Sequence, residues 1–245
     1  MAHHADDPTI TVLTGAGIST GAGIPDFRGP DGVWTRHPEQ AGLLQIGPYL
    51  AQARVRADGW RMWRDSPARS ARPSAAHRAL VELQRAGALR ALLTQNFDGL
   101  HQAAGSTGVV ELHGSLATTS CMACRWHTAT EQVLAGLDDD DDPHCPRCEG
   151  VLKPDIVYFG ELLDDDALGS AVAAAQDAQV FVAIGSTLSV QPVAGLAALA
   201  VEHGARLVVV NDAPTQYDHL ADRIIREPIE QSVPALVAEL LAART

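Results

Sequence analysis

The residues of this chain best spaced for chemistry are four cysteines, Cys121, Cys124, Cys145 and Cys148, set as C-x2-C, twenty intervening residues, and C-x2-C. Each C-x2-C makes a tight knuckle that directs two thiolates to one point, and the intervening loop returns the second pair. That spacing fits a tetrahedral zinc ion. The competing reading, two disulfides, needs an oxidising compartment. His127 and His144 lie nearby, but four thiolates fill the shell and leave no position for a reacting water. The metal is therefore expected to be structural, shaping the protein without performing its chemistry.

A second group stands at the ends of apolar runs. After Ile10 to Leu13 comes Thr14-Gly15-Ala16-Gly17-Ile18-Ser19, whose glycines let backbone amides approach a pyrophosphate at the start of a helix. A plain structural turn is the alternative, because Gly21 comes one position late for G-x-G-x-x-G. No acidic residue closes a second strand about twenty residues on, as hydride-transferring dehydrogenases require. The next segment, Gly23-Ile24-Pro25-Asp26-Phe27-Arg28-Gly29-Pro30, is too rich in Gly and Pro for regular structure yet carries Asp, Phe and Arg together. It reads as a loop over a dinucleotide. Of ten histidines, His113 alone ends an expected strand on the ligand side, with Gly114 behind it. Its ordinary pKa suits a proton acceptor near neutral pH. His77 and His101 fall in helix-like stretches and read as structural.

The elements that must position these residues are short buried runs: Ile10 to Leu13, Ala91 to Leu93, Val109 to Leu112, Val180 to Ile184 and Leu207 to Val210. Continuous apolar runs of that length are the mark of parallel strands covered on both faces. Between them lie alanine-rich stretches that favour helix, Ala75 to Arg85, Ala167 to Ala178 and Pro192 to His203. The alternation implies an α/β fold with a doubly wound parallel, Rossmann-like sheet, whose ligands bind beyond the carboxyl ends of strands. Two segments break the rhythm. Residues 36–72 and 119–153 are expected to form a small helical and zinc-binding domain beside a dinucleotide-binding domain of residues 1–35, 73–118 and 154–245. A ligand would sit in the cleft between them.

Composition narrows the class. The chain has 245 residues, 46% of them hydrophobic, enough for one large core and a satellite. No stretch reaches the roughly 18 to 20 unbroken apolar residues of a membrane-spanning helix. The start, Met1 to Pro8, lacks the order of a signal peptide, so a soluble, cytoplasmic protein is expected. Eighteen basic against thirty acidic residues leave a net charge of −12, which argues against nucleic acid as a direct partner. Runs of acid at Asp138 to Asp142 and Asp164 to Asp166 read as solvated loops.

The motifs together resemble the sirtuin family of NAD-dependent protein-lysine deacylases. They are Gly15-Ala16-Gly17-Ile18-Ser19, GIPDFRG at Gly23 to Gly29, TQNFDGL at Thr94 to Leu100, His113-Gly114, the four cysteines, KPDIVYFGE at Lys153 to Glu161, Gly185-Ser186-Thr187 and Val210-Asn211. All occur in the family's order and span nearly the whole chain. The resemblance implies that NAD is co-substrate and Zn2+ a structural ion, and that the products are free lysine, nicotinamide and an O-acyl-ADP-ribose. It implies His113 as general base and Asn96 as its catalytic companion. It also implies NAD contacts from Gly15, Ala16, Gly17, Ile18, Ser19, Ile24, Pro25, Asp26, Phe27, Arg28, Trp34, Gln95, Asp98, Gly185, Ser186, Thr187, Asn211 and Ile229. Val157, Phe159, Gly160 and Glu161 would line the channel for an acyl-lysine protein substrate, where extended backbone pairs with a substrate strand.

The sequence also departs from the family. Phe97 stands where Val or Ile is usual, which changes the nicotinamide pocket. Gly29 to Trp34 and Pro214 to Asp218 look like the chromatin-associated branch. Relatives that remove dicarboxylic acyl groups carry Tyr-x-x-Arg, and the matching stretch here, Trp60-Arg61-Met62-Trp63-Arg64, has arginine for tyrosine. Neutral acyl groups, acetyl or longer, are therefore expected over succinyl. Two other readings stay open: mono-ADP-ribosyl transfer to protein, and a non-catalytic sensor of NAD or acyl-lysine.

Overall fold

A computed structural model describes residues 9–137 and 142–243. The reading of Met1 to Pro8 and of Asp138 to Asp141 lies outside the described residues. The strands are β1 Ile10–Thr14, β2 Leu89–Thr94, β3 Val109–Glu111, β4 Gly114–Cys121, β5 His127–Ala129, β6 Leu152–Ile156, β7 Val180–Ile184, β8 Arg206–Val210 and β9 Arg223–Ile225. Six form one sheet in the order β3-β2-β1-β7-β8-β9, every pairing parallel. The expected doubly wound fold is what forms. All five runs named above are strands. β9 gave no signal because it has three residues and two of them are exposed.

Side chains alternate between the two faces of the sheet, as strand geometry requires. Ile10, Val12, Val180, Val182, Ile184, Val208 and Val210 face the helices Ala75–Arg85 and Ile229–Ala242. Leu13, Phe181, Ala183, Leu207 and Val209 face Asp165–Gln176 and Gly195–Glu202. Each fully buried large side chain contributes about 1.5 to 3 kcal/mol. The helix starts are set by capping. Ser74 and His77 form a reciprocal capping box for Ala75–Arg85, with His77 in the position usually held by Glu or Gln. Asp164 caps Asp165–Gln176 through the Ala167 amide, so this acidic run opens a helix and is no mere loop.

Register does the positioning. Thr14 pairs with Thr94 on one side and Ile184 on the other, Thr94 pairs with Glu111, and Ile184 with Val210. The residues just beyond those ends, Gly15, Gln95 and Asn96, His113, Gly185 and Asn211, are thereby brought to one edge of the sheet. The strand order reverses between β1 and β7, and that reversal opens a crevice in such sheets.

The other sheet is antiparallel, β5-β4-β6. With helices Ile46–Ala51 and Ala53–Arg64 it encloses a core of Leu44, Tyr49, Trp60, Trp63, Leu134, Leu152, Ile156 and Tyr158, which includes Cys121 and Cys145. Residues from both interrupting segments thus share one core, and the sheet reaches past residues 119–153 at both ends. Asp142 corrects the expectation of a solvated acidic loop. Its carboxylate takes both the Nε and Nη2 protons of Arg56 at 2.8 Å, and the two side chains are only 11% and 10% exposed. Arg56 also donates to the Tyr49 and Leu50 carbonyls, so the pair rivets the helical segment to the cysteine loop.

Candidate active site

Beyond the β1 and β7 ends the two glycine turns touch. The amide of Gly17 donates to the Gly185 carbonyl at 2.9 Å, and a Cβ on Gly15 would lie 2.7 Å from that same oxygen. A Cβ on Gly17 would meet Gly185 Cα at 2.7 Å, so only glycine lets these backbones close up. Ala16–Ala22 continues as a 3-10 helix ending at Gly23, whose φ of 87° suits glycine. A cavity of about 890 Å³ lies over the turns and extends between the two sheets. Its wall holds Gly15, Ala16, Gly17, Asp26, Phe27, Arg28, Trp34, Gln95, Asn96, His113, Gly185, Ser186, Thr187, Asn211 and Ile229, together with Val157, Phe159, Gly160 and Glu161. Most of the expected site residues are thus brought together.

Five are not on that wall. Ile18 is wholly buried in the core, and Ser19 is 1% exposed. Ile24, Pro25 and Asp98 also lie off the cavity wall. Ser19 and Asp98 work behind the site instead. Asn96 Nδ2 donates to the Gly15 carbonyl at 3.1 Å and to Ser19 Oγ at 3.2 Å, and Ser19 Oγ donates to Asp98 at 2.7 Å. The other Asp98 oxygen accepts the Leu100 amide. Because the Gly15 oxygen can only accept, the amide orientation of Asn96 is determined. Oδ1 has no partner among the described residues.

His113 Nδ1 lies 3.1 Å from the Gln95 carbonyl. A carbonyl accepts only, so Nδ1 carries the proton and Nε2 keeps its lone pair. Burial lowers the pKa of this ring, which keeps it neutral near pH 7. The arrangement is that of a base with an assigned accepting atom. Gln95 Nε2 in turn donates to Ser186 Oγ at 2.8 Å, linking the β2 and β7 ends.

Aromatic rings line the side of the cavity next to the small sheet. Phe27 packs on Trp34 with centroids 4.7 Å apart, Trp34 on Phe159 at 5.7 Å, and Phe97 edge-on to Trp63 at 5.5 Å. The Arg28 guanidinium covers Trp34 at 4.6 Å. Phe97 thus belongs to a ring cluster, which accounts for an aromatic at this position. Arg61 bonds Asp58 on its own helix and Arg64 pairs with Asp65, and neither lies on the cavity wall. Sequence reasoning missed Arg226, which lines the cavity and donates to the Asn211 and Ala213 carbonyls at 2.6 and 2.8 Å. A lone arginine beside a three-residue strand offered no pattern to find it.

The channel residues differ from expectation in one respect. The Phe159 amide donates to Leu44 and its carbonyl accepts from Ile46, so that residue's backbone is engaged within the chain. Strand addition there would have to use its neighbours. Glu161 accepts the Tyr158 amide at 2.7 Å and pairs with Lys153 at 3.1 Å. Lys153 is buried, donates to the Pro154 and Ile156 carbonyls and lies over the Tyr158 ring at 4.7 Å.

The four cysteine sulfurs lie within 4.8 Å of one another, and all four thiols are free. Cys121 and Cys148 sulfurs are 3.5 Å apart, and Cys124 and Cys145 sulfurs 3.7 Å. A zinc tetrahedron with Zn–S bonds of about 2.3 Å has edges of roughly 3.8 Å. Amides of Ala123 and Cys124 point at Cys121 Sγ, and that of Arg147 at Cys145 Sγ, donors that suit thiolates. The donor set fits zinc and not disulfides. The glycine cradle and the depth of the large cavity likewise fit a dinucleotide.

The Sir2 family model matches residues 15–192. NAD-dependent protein deacetylase 2 of Streptomyces coelicolor is 50% identical over 236 residues, covering 95% of this chain and 98% of that protein. NAD-dependent protein deacetylase 1 of Pyrobaculum aerophilum is 45% identical, covering 93% and 88%. Among solved structures, a Sir2 complex with a deacetylated p53 peptide and 3'-O-acetyl ADP ribose superposes with a TM-score of 0.89 at 34% identity, covering 96% of this chain and 94% of that one. Sir2Tm bound to a propionylated peptide gives 0.85 at 33%, with the same coverage. Two sheets, a four-thiol cluster and a glycine-floored cavity with a histidine base thus agree with sequence likeness over nearly the whole length: the chain belongs to the Sir2 family.

Proposed function

We propose that this chain is an NAD-dependent protein-lysine deacylase, releasing nicotinamide and O-acyl-ADP-ribose. The observation that carries the reading is the neutral His113, its accepting Nε2 assigned, on the same cavity wall as Asn96 and the glycine cradle. When bound, NAD supplies an ADP-ribosyl group that the amide oxygen of acyl-lysine attacks as nicotinamide leaves. The amides of Gly15, Gly17 and Gly185 are spent on Ile184, Gly185 and Val210, so these glycines serve by close approach, and the amides of Ala16, Ser186 and Thr187 hold the pyrophosphate. Asn211 and Ile229 flank the adenosine. Asn96, held at Nδ2, offers Oδ1 to the nicotinamide end, with Gln95 and Asp26 beside it. His113 Nε2 takes a proton from a ribose hydroxyl. Phe27, Arg28 and Trp34 cover the reacting centre and hold back bulk water, so that NAD is not simply hydrolysed, while one water is consumed as the acyl group passes to the ribose and the lysine amine leaves. Ser19 and Asp98 serve by holding Asn96, and Ile18, Ile24 and Pro25 by shaping the turn and loop.

Acyl-lysine protein segments enter along Val157, Phe159, Gly160 and Glu161, and the acyl chain meets the aromatic wall. Cys121, Cys124, Cys145 and Cys148 hold one structural Zn2+. A four-cysteine metal site with no disulfide suits a reducing compartment, and we place the protein in the cytoplasm. No helix among the described residues is long and apolar enough to cross a membrane. Incubation with NAD and an acylated peptide panel, with products identified by mass, tests the reading. Equimolar deacylated peptide, nicotinamide and O-acyl-ADP-ribose are expected. A peptide gaining ADP-ribose instead would establish the transferase reading, and no NAD turnover the sensor reading.

A further inference from the structure

Behind Asn96, on the side away from the cavity, two histidines are packed against each other. His77 and His101 are 0% and 1% exposed, with ring centroids 4.8 Å apart. Each leaves one buried ring nitrogen without a partner, Nε2 on His77 and Nδ1 on His101. Native interiors seldom leave such atoms unmatched, so the pair calls for an account.

Their other nitrogens assign the protons. His77 Nδ1 accepts the Ser74 amide at 3.3 Å and stands 2.9 Å from Ser74 Oγ. An amide only donates, so Nδ1 holds the lone pair and Nε2 holds the proton. Burial lowers the pKa of both rings, His101 to about 3, so both are neutral. His101 Nε2 lies 2.9 Å from Thr14 Oγ1. Were the His101 proton on Nδ1, two unmatched buried donors would be packed together, each without the water it bonded in the unfolded chain. With the proton on Nε2, only one unmatched donor is left, beside an acceptor in the adjacent ring.

The direction then propagates. Thr14 Oγ1 accepts a hydrogen bond from His101 Nε2 and donates one to Thr94 Oγ1 at 2.9 Å. Thr94 Oγ1 also accepts the Asn96 amide at 3.0 Å. We propose that His101 is a positioning residue for Asn96, acting through a one-directional chain of hydrogen bonds by way of Thr14 and Thr94, with the packed His77 ring favouring the His101 tautomer that starts it. The chain fixes the backbone at Asn96 just as Gly15 and Ser19 fix its side chain. Without a donor at His101 Nε2, Thr14 is free to turn its hydroxyl toward the Leu93 carbonyl, 3.4 Å away, and Thr94 loses its orientation. The inference rests on the assignment of Asn96 to NAD cleavage.

The test uses His101→Leu, His101→Gln, whose amide keeps a donor near the Nε2 position, and Thr14→Val, which removes the link at constant volume with the rings untouched. Thr14→Val and His101→Leu should lower kcat by about tenfold or more, the scale of small misplacements, with KM for the acyl peptide within about twofold of wild type. His101→Gln should regain most of the loss. The Thr14→Val/His101→Leu double variant should be no slower than the slower single one, because both cut the same chain. Wild-type turnover in Thr14→Val, or losses that multiply in the double variant, would overturn the proposal. Nitrogen-15 NMR of the histidines supplies a reading apart from activity: both rings should be neutral Nε2–H tautomers, and an Nδ1–H or charged His101 would overturn it. An inactive wild-type chain would refute the deacylase reading alone, and the tautomers would still decide the network.

Discussion

The ring of His113 is held by the carbonyl of Gln95, the residue immediately before Asn96. The base and the nicotinamide-side amide therefore share one support at the end of β2, and any shift of that strand end moves both. Replacing His113 by Ala should leave the fold and NAD binding intact while deacylation falls at least about a hundredfold, the usual scale for a lost general base. Turnover near wild type would remove His113 from the mechanism. Because burial lowers the pKa of this ring, the acid limb of kcat/KM should fall below the ordinary histidine value of about 6.5. A rate profile breaking above that value would contradict the burial argument.

Stability should fall on acidification. His77, His101 and His113 all have lowered pKa values, chiefly through burial, with Asp98 and Glu230 partly opposing the effect at His77. Between the unfolded value near 6.5 and the folded values the unfolded chain binds more protons, so stability rises with pH across that window. The contribution is complete above about pH 6.5 and is lost toward about 3, where His101 titrates in the fold. Melting temperatures from pH 4 to 8 should show the slope, and His101→Gln should flatten it.

Cys145 is 1% exposed and packs within the aromatic core of the small sheet, so its metal and that core are one unit. Cys145→Ala, or a strong chelator, should release zinc, lower the melting temperature and abolish activity indirectly, since metal-binding free energy here is folding free energy. Metal analysis of active protein that found no zinc would refute the site.

The Arg56–Asp142 pair is buried and doubly hydrogen-bonded. Asp142→Ala strands an arginine in the interior and should cost about 3 kcal/mol. That corresponds to a melting shift of roughly 6 to 12 °C for a chain of this size. Thermal unfolding of the zinc-loaded protein measures it, and a shift under about 2 °C would show that the pair is solvated in solution.

Acyl preference follows from where the arginines of the Ala53–Arg64 helix go. With Arg61 on Asp58, Arg64 on Asp65 and the Arg28 guanidinium lying over Trp34, a distal carboxylate meets Phe27, Trp34 and Phe97 with no tyrosine–arginine pair to grip it. The ratio kcat/KM should favour acetyl and myristoyl over succinyl forms of one peptide. A succinyl value equal to the acetyl one would show that an arginine swings inward.

Much of this arrangement was legible in the sequence, for identifiable reasons. Parallel strands announce themselves as unbroken apolar runs, and parallel register then aligns whatever follows them, so Gly15, Asn96, His113 and Gly185 could be placed together from their strand-end positions alone. Cysteine spacing carried the metal site in the same way. What stayed hidden depends on contacts across the chain. Ser19 and Asp98 match the motifs as fully as Asn96 does, yet they stand behind it, because whether a side chain faces a cavity or supports a neighbour is decided by packing. Asp142 looked like one member of an acidic run until Arg56, 86 residues away in sequence, was found against it. β9 is too short and too exposed for any periodicity.

Lys153 is the only lysine in the chain, and its ammonium is enclosed by two carbonyls, a carboxylate and a phenol ring. Uncatalysed acylation by reactive thioesters or acyl phosphates needs an exposed amine, and this side chain is buried. A protein that erases acyl marks from other chains thus carries no side-chain amine on which such a mark could accumulate.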